Sequence, residues 1–222
     1  YYAFHGHTEF ILCLGYGANA VKDYFLNYRE TASNDFVLSE GGERIEKLGT
    51  ATSDWKITFV ATALSTAIGE RLRRVRPHLE GDEMFLANYG DGVSDAPMNE
   101  LIASLPEDHV GSLLAVPPQD SFHVVDLDAE GAMSGIVAVA DMDMWINGGF
   151  FVLRQGIFDY LEEGEDLVMD ACIRAAAAGR FTANRYDGFW ACMDTFKERA
   201  YLEELHATGA APWEIWLTER PV

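Results

Sequence analysis

The sequence predicts an α/β protein with a mostly parallel sheet, helices on both faces of that sheet, and a smaller mixed sheet after residue 110. Two observations predict this fold class. Short, continuously apolar runs alternate with segments whose apolar residues recur at helical spacing. Strands that are apolar on both sides need cover on both faces, which is typical of parallel sheets. Beyond residue 110, strand-like runs follow one another more closely.

The first half of the chain divides into βα units. Residues 9–14 predict a strand followed by a helix over 18–29, and residues 57–61 predict a strand followed by a helix over 69–79. A third unit begins with a strand over 84–89. The second half predicts strands at 111–116, 122–127, 134–139, 149–153 and 181–186, and helices at 157–162, 166–178 and 195–206.

The charge balance limits the class of partner. The 222 residues carry 16 Lys and Arg against 36 Asp and Glu, a formal net charge of −20. Nucleic acid polymers and anionic membrane surfaces are held mainly by Lys and Arg, so we expect neither as a partner. A small anionic ligand stays compatible with this charge, because a few arginines, backbone N–H groups and a divalent cation can dominate the field within one cleft.

The cysteine pattern and hydropathy favour a cytoplasmic protein. Cys13, Cys172 and Cys192 are widely spaced and lie in apolar or mixed segments, which predicts small core residues instead of a disulfide framework or zinc site. No apolar run approaches the roughly 20 residues of a membrane-spanning helix.

Asp91 lies between two glycines at the point where the third predicted strand ends. Glycines at a strand end allow a ligand to approach the backbone, and ligands of parallel sheets bind at the carboxyl ends of the strands. The alternative is an ordinary turn, since Asp-Gly is a common turn sequence.

Asp194 offers a second carboxylate, directly before the helix predicted at 195–206. Its structural alternative is an N-cap, a position that Asp fills well. If the strand ends converge, Asp91 and Asp194 together form a site for Mg²⁺, which takes few protein carboxylates and completes its shell with phosphate oxygens and water.

Two further motifs suggest ligand contacts. Asn147, Gly148 and Gly149 precede an apolar strand, an arrangement that suits either hydrogen bonds to a ligand or a β-bulge. Arg71 lies in the first turn of a predicted helix, where a cation is unfavourable unless an anion is near. A solvated surface arginine is the more common explanation for a residue of this kind.

In this order, these strings resemble the glucose-1-phosphate cytidylyltransferases and their sugar nucleotidyltransferase relatives over essentially the whole chain. The strings that carry the resemblance are Ile-Leu-Cys-Leu-Gly-Tyr at 11–16, Val-Lys-Asp-Tyr-Phe at 21–25, Gly-Glu-Arg-Leu-Arg-Arg-Val at 69–75, Tyr-Gly-Asp-Gly-Val-Ser-Asp at 89–95, Ile-Asn-Gly-Gly-Phe-Phe-Val at 146–152, Gly-Phe-Trp-Ala-Cys-Met-Asp-Thr at 188–195 and Ala-Pro-Trp at 211–213.

The resemblance implies a Rossmann-like nucleotidyltransferase fold in a single domain over 1–222, with a nucleotide-binding portion at 1–110 and a sugar-binding and C-terminal portion at 111–222. It implies an enzyme that transfers CMP from CTP to glucose 1-phosphate, giving CDP-glucose and pyrophosphate, with Mg²⁺ as cofactor. By motif it assigns Asp91 and Asp194 to catalysis and metal binding. It assigns the nucleotide to Thr66, Arg71 and Gly90, and the sugar to Asn147 and Gly148. It also implies a homo-oligomer.

The chain departs from the family pattern at several points. The glycine-rich phosphate loop and the Pro-Lys-Pro lysine are absent, and residues 1–7 read as the end of a helix with Gly6 in its final turn. We therefore expect an N-terminally truncated form that lacks the first strand and the phosphate loop and is inactive without them. The Glu-Lys-Pro segment of the family aligns with residues 137–139, and its Asp-Thr-Gly string aligns with residues 61–63. These departures leave two alternatives: a catalytically silent binding or assembly protein, and a transferase for another base or sugar.

Overall fold

The computed structural model describes residues 1–48, 54–119 and 122–218. Its strands are β1 (Glu9–Leu14), β2 (Phe36–Ser39), β3 (Arg44–Lys47), β4 (Lys56–Ala61), β5 (Met84–Ala87), β6 (Gly92–Ser94), β7 (Gly111–Val116), β8 (His123–Leu127), β9 (Met133–Ala138), β10 (Ile146–Asn147), β11 (Phe151–Arg154), β12 (Phe181–Arg185) and β13 (Trp190–Cys192). Its α-helices are α1 (Ala18–Leu26), α2 (Glu30–Ser33), α3 (Ile68–Val75), α4 (Met98–Ala103), α5 (Ile173–Ala177), α6 (Phe196–Ala207) and α7 (Ile215–Thr218).

A five-stranded mixed sheet forms the centre of the molecule. Strand β7 pairs with β11 and β10 along one edge and with β12 along the other, and β5 pairs with the far edge of β11. Because β11 is antiparallel to both β5 and β7, while β12 is parallel to β7, the strands β5, β7 and β12 all run in one direction. Their carboxyl ends therefore meet at one edge of the sheet, where ligands of α/β proteins bind.

The two faces of this sheet support separate apolar clusters. Leu153 and Phe151 pack on one face with residues of α3 and α5. Leu114 and Val152 pack on the other face with residues of α4 and with Trp190. Cover on both faces explains why these strands are apolar throughout.

Smaller two-stranded sheets complete the fold. β1 and β4 pair in parallel, and β13 pairs antiparallel with β6, next to the end of β5. The antiparallel pairs β2–β3 and β8–β9 form two hairpins with exposed residues on both strands. Within the described ranges, no helix is both long enough and apolar enough to cross a membrane.

The predicted fold class is confirmed, but the strands are distributed among the sheets differently from the prediction. The strands after residue 110 do not make a sheet of their own, because β7, β10, β11 and β12 join β5 in the central sheet. Of the other strands after residue 110, β8 and β9 pair with each other and β13 pairs with β6, outside the central sheet. β6 and β13 lie within the strings at 89–95 and 188–195 and were not expected as strands. The helix predicted over 69–79 is α3 to Val75, continued by a 3-10 turn that contains Pro77, and the helix predicted at 157–162 is a 3-10 turn over 155–160.

The opening segment has the expected helix-end geometry. The N–H of His7 donates to the carbonyl of Tyr2, and the N–H of Gly6 donates to the carbonyl of Ala3. Gly6 has φ +90°. This pair of hydrogen bonds around a left-handed glycine is the Schellman motif that closes helices.

Candidate active site

The segment after β5 brings Gly90 and Asp91 to the carboxyl-end edge of the central sheet. Asp91 is exposed, and its carbonyl accepts a 2.9 Å hydrogen bond from the N–H of Met193. This bond extends the pairing of β6 with β13, in which Cys192 lies opposite Gly92. Around Gly90, an added Cβ meets no described atom within 4 Å. The backbone there is open to a ligand.

Asp194 lies two residues after the end of β13 and is exposed at the same edge. The N-cap of α6 is Thr195, which forms a capping box with Glu198. The carboxylate of Glu198 accepts hydrogen bonds from the N–H groups of Asp194 and Thr195, at 2.8 and 2.7 Å. The alternative role for Asp194 as a helix cap is therefore wrong, because the next residue caps the helix. The Asp194 carboxylate is not needed to begin α6.

The thiol of Cys192 lies among three carboxylates. It hydrogen-bonds to Asp194 Oδ2 at 3.5 Å. Burial, followed by that hydrogen bond and by the negative charges of Asp194, Glu198 and Asp91, raises the pKa of the Cys192 thiol to about 11. The negative charges of both predicted metal-binding aspartates therefore act on the same thiol. A bound cation would neutralise this local negative charge.

The turn between β10 and β11 places Asn147 beside the end of β5. Asn147 Nδ2 donates to the hydroxyl of Tyr89 at 3.1 Å, and Asn147 Oδ1 accepts from the N–H of Gly149 at 2.9 Å. Gly149 and Phe150 have φ values of +71° and +48°. Glycine adopts this conformation without strain. A left-handed phenylalanine is uncommon, and backbone strain of this kind concentrates at functional sites.

Gly148 is buried inside this turn. Its carbonyl accepts a 2.8 Å hydrogen bond from the indole N–H of Trp190, and its own N–H donates to the carbonyl of Leu114 at 2.8 Å. A Cβ at Gly148 would lie 3.2 Å from both the Leu114 carbonyl and the Trp190 indole nitrogen. Both backbone groups of Gly148 are therefore used within the fold, and its effect on a site is to place Asn147.

Thr66 and Arg71 meet in a second group, at the carboxyl ends of β1 and β4. The guanidinium of Arg71 donates to Thr62 Oγ1 at 2.6 Å and to the carbonyls of Thr66 and Leu64 at 3.0 and 3.3 Å. The Thr66 hydroxyl donates to the Thr62 carbonyl. Arg71 also lies over the backbone at Gly15, where a Cβ would come within 2.7 Å of its guanidinium. Arg71 is therefore not a free surface arginine, because it holds the loop between β4 and α3.

The sequence motifs miss two residues on which this geometry depends. Thr62 is fully buried, and its hydroxyl donates to the Leu14 carbonyl at 3.1 Å, so it joins β1, β4 and α3. Trp190 anchors the Asn147 turn. A polar residue directly after an apolar strand was the available signal for Thr62, and an indole four residues before Asp194 was the signal for Trp190.

The structure thus gathers the predicted residues into two groups. Gly90, Asp91, Asn147, Gly148 and Asp194 converge at the end of the central sheet, while Thr66 and Arg71 lie at the end of the β1–β4 pair. Across the described ranges, no hydrogen bond or ion pair joins the two groups. An open groove of about 430 Å³, lined by residues 193–196 and Arg199, begins at Asp194.

Comparisons with known proteins agree with this architecture. A crystal structure of HddC from Yersinia pseudotuberculosis matches with a TM-score of 0.60 at 15% identity, covering 92% of this chain and 81% of that one. Glucose-1-phosphate cytidylyltransferase from Salmonella typhi is 34% identical over 218 residues, 97% of this chain and 84% of that protein. A probable glucose-1-phosphate cytidylyltransferase from Bacillus subtilis is 31% identical over the same shares. No family model matches the chain.

The fold and the strand-end site define a Rossmann-like nucleotidyltransferase. At this identity and coverage, the chain belongs to the glucose-1-phosphate cytidylyltransferase family.

Proposed function

We propose that this protein transfers CMP from CTP to glucose 1-phosphate, giving CDP-glucose and pyrophosphate. The observation that carries the proposal is the placement of Asp91 and Asp194 on paired segments at the carboxyl-end edge of the sheet, in a chain of this family. Two relatives at 34% identity are named glucose-1-phosphate cytidylyltransferase.

The reaction needs positioning and charge neutralisation more than a protein nucleophile. A phosphate oxygen of glucose 1-phosphate attacks the α-phosphorus of CTP, a new P–O bond forms, and the bond to pyrophosphate breaks. Asn147 orients the sugar, with Gly148 and Tyr89 holding its amide in place. Thr66 and Arg71 set the loop that faces the nucleotide, and the open backbone at Gly90 admits a substrate.

The residues present fit a magnesium ion. Asp91 and Asp194 supply exposed carboxylate oxygens, which are the ligands that Mg²⁺ prefers. Cys192, Asp194 and Glu198 hold ligand atoms within 4.8 Å of one another. The Glu198 carboxylate already accepts two backbone hydrogen bonds, and the raised pKa of the Cys192 thiol keeps it protonated at neutral pH. We therefore assign the ion to the two aspartates. When bound, Mg²⁺ neutralises phosphate charge.

The two portions of the chain take the two substrates. Residues 1–110 supply Thr66, Arg71, Gly90 and Asp91 for the nucleotide, and residues 111–222 supply Asn147 and Asp194 for the sugar phosphate and the metal. The proposed site lies between the portions, because Asp91 belongs to the first and Asp194 to the second. Both remain parts of one domain.

A homo-oligomer is also proposed, on the basis of the β8–β9 hairpin. Val125 and Ile136 lie opposite each other and are 42% and 56% exposed. Two-stranded hairpins are marginally stable in water without packing on a third element, so a second copy of the chain is the proposed cover. The aromatic segment at 211–216 is another apolar surface that a second copy could cover. It does not require this role, since Trp213 contacts Phe189 with ring centroids 5.5 Å apart.

We further propose a cytoplasmic location. The three cysteines are free thiols, which is usual in a reducing compartment. The net charge of −20 opposes nucleic acid polymers and anionic membranes as partners.

The deciding experiment uses the full-length gene product with CTP, glucose 1-phosphate and Mg²⁺, and measures pyrophosphate. We expect release that depends on all three components. The second candidate is a catalytically silent binding protein. It is favoured by residues 137–139, which align with the Glu-Lys-Pro segment of the family but contain no lysine or arginine. These residues lie at the end of the exposed hairpin strand β9. Failure to release pyrophosphate with any of CTP, UTP, dTTP, ATP or GTP would support that candidate. Release with UTP or dTTP alone would change only the base assignment.

A further inference from the structure

The carboxyl end of β12 places an arginine beside the proposed sugar subsite. We propose that Arg185 binds the phosphate group of the sugar 1-phosphate. This inference rests on the proposed function, and it adds a substrate-binding residue that neither the motifs nor the family resemblance assigned.

The strand register puts Arg185 and Asn147 in one row. Arg185 on β12 and Asn147 on β10 both lie opposite Ala115 of β7, on its two sides. Residues that are paired directly across neighbouring strands point to the same face of a sheet. Two strand spacings separate the two backbones by about 10 Å. A phosphate group between them is within reach of both side chains.

The Arg185 side chain reaches the segment that leads into β10, where it contacts Trp145. Its guanidinium carbon lies 5.1 Å from the centre of the Trp145 ring, and Trp145 is two residues before Asn147 on the same extended segment. This contact is independent of the register argument and gives the same direction. Stacking on an aromatic face leaves the N–H groups around the edge of the guanidinium available to an anion.

The positive charge of Arg185 is also available to bind an anion. None of the ion pairs in the described ranges includes it, and its residue is exposed. Other arginines are committed within the fold, since Arg154 binds two backbone carbonyls and Arg174 pairs with Glu165 at 2.6 Å.

A sugar phosphate needs such a cation here. It is an anion entering a protein of net charge −20, at an edge that already holds the Asp91 and Asp194 carboxylates. Arginine binds phosphate in a bidentate manner through its planar fork of donors. Arg185 therefore supplies the local positive charge, while the Asn147 amide supplies the neutral hydrogen bond.

The test compares Arg185→Gln and Arg185→Lys with Arg76→Gln in the full-length protein. Arg76 is a matched control because its guanidinium also stacks on an aromatic ring, 4.8 Å from the centre of Phe158. Phe158 lies in the turn after β11, so this contact is at the opposite edge of the sheet from the proposed site. Calorimetry measures binding of glucose 1-phosphate, glucose, inorganic phosphate and CTP. Steady-state kinetics measure KM and kcat for each substrate.

We expect Arg185→Gln to weaken glucose 1-phosphate and inorganic phosphate binding by about tenfold or more, the usual size of a lost charged hydrogen bond. Glucose and CTP binding should change by less than about twofold, Arg185→Lys should be intermediate, and Arg76→Gln should match the parent protein. The KM for glucose 1-phosphate should rise while the KM for CTP stays constant.

The outcomes separate this inference from the proposed function. If the parent protein releases pyrophosphate and Arg185→Gln binds glucose 1-phosphate equally well, the inference alone is wrong. If Arg185→Gln weakens all ligands together, Arg185 is structural and the inference is also wrong. If no pyrophosphate forms, yet phosphate binding is lost in Arg185→Gln, the proposed reaction fails and the phosphate site stands. A parent protein that binds neither glucose 1-phosphate nor phosphate overturns the inference.

Discussion

The N–H of Met193 donates a 2.9 Å hydrogen bond to the carbonyl of Asp91, and this bond joins two segments about a hundred residues apart in the sequence. It extends the β6–β13 pairing by one residue. Asp194 therefore begins directly beside the Asp91 loop, and both carboxylates act on the Cys192 thiol. The first prediction follows from this arrangement.

Replacing either aspartate with asparagine should abolish catalysis and leave folding nearly intact. Asn keeps the volume of Asp and removes the anionic oxygen that a cation needs. We expect pyrophosphate release to fall by orders of magnitude in Asp91→Asn and Asp194→Asn, with thermal unfolding within a few degrees of the parent protein. The measurements are the pyrophosphate assay and circular dichroism melting.

Thr195→Ala is the matched control for Asp194→Asn. It removes the N-cap of α6, so it should lower the free energy of unfolding by about 1 kcal/mol and keep most of the activity. If Asp194→Asn destabilised the protein as Thr195→Ala does and remained active, the aspartate would be a structural residue and the metal assignment would be wrong.

The sequence predicted the placement of the site residues at strand ends more accurately than it predicted the residues that contact them. Asp91, Asn147 and Asp194 each follow or precede an apolar run, and local patterns of that kind place residues at strand ends. The structure puts all three at one edge. The cap at Thr195 was also visible as Thr followed three residues later by Glu, a capping-box pattern, and the interpretation of Asp194 as the cap overlooked it.

Contacts between distant segments were beyond the sequence. The hydrogen bonds of Arg71 to Thr62 and Thr66 depend on how α3 packs over the ends of β1 and β4, and no local pattern encodes that packing. The division of strands among sheets has the same cause. β12 lies beside β7 because both pack on one apolar cluster, and sequence order does not specify spatial neighbours.

A second prediction concerns Ala63, which has φ +65° in the loop that Arg71 holds. This left-handed conformation costs an alanine roughly 1 kcal/mol and costs a glycine almost nothing. Ala63→Gly should therefore raise the free energy of unfolding by up to about 1 kcal/mol, measured by urea denaturation. The control is Ala200→Gly in the middle of α6, where the same change should lower it by about 1 kcal/mol. Equal destabilisation in both variants would contradict the left-handed geometry.

A third prediction is a pH dependence of stability from Glu165. Hydrogen bonds from Arg174 at 2.6 Å and from the N–H of Glu162 at 2.7 Å lower the pKa of the Glu165 carboxyl below its usual value of 4.5. Because the folded state favours the charged form, this group stabilises the protein at neutral pH, and the contribution is lost as pH falls through the lowered pKa.

Glu165→Gln tests this sign. The stability difference between the parent protein and Glu165→Gln should be largest at neutral pH and should shrink in acid, below the usual glutamate pKa of 4.5, as followed by urea denaturation across that range. Glu163→Gln, an exposed residue in the same turn, should show a much smaller difference at every pH. A difference that grows in acid would show that the Arg174 contact does not favour the carboxylate.

The final prediction tests the β8–β9 hairpin as the interface of the proposed homo-oligomer. Val125→Thr with Ile136→Thr keeps the β-branched shape that strands favour and removes apolar surface from one face of the hairpin. We expect the parent protein to have a mass that is a multiple of 24.7 kDa in light scattering, and the double variant to shift toward the monomer at low concentration. Leu26→Ser, at the end of α1 where the side chain is 79% exposed, removes comparable apolar surface away from the hairpin and should leave the mass unchanged. A parent protein that is monomeric at every concentration would contradict the oligomer, whereas an oligomer that persists in the double variant would place its interface elsewhere.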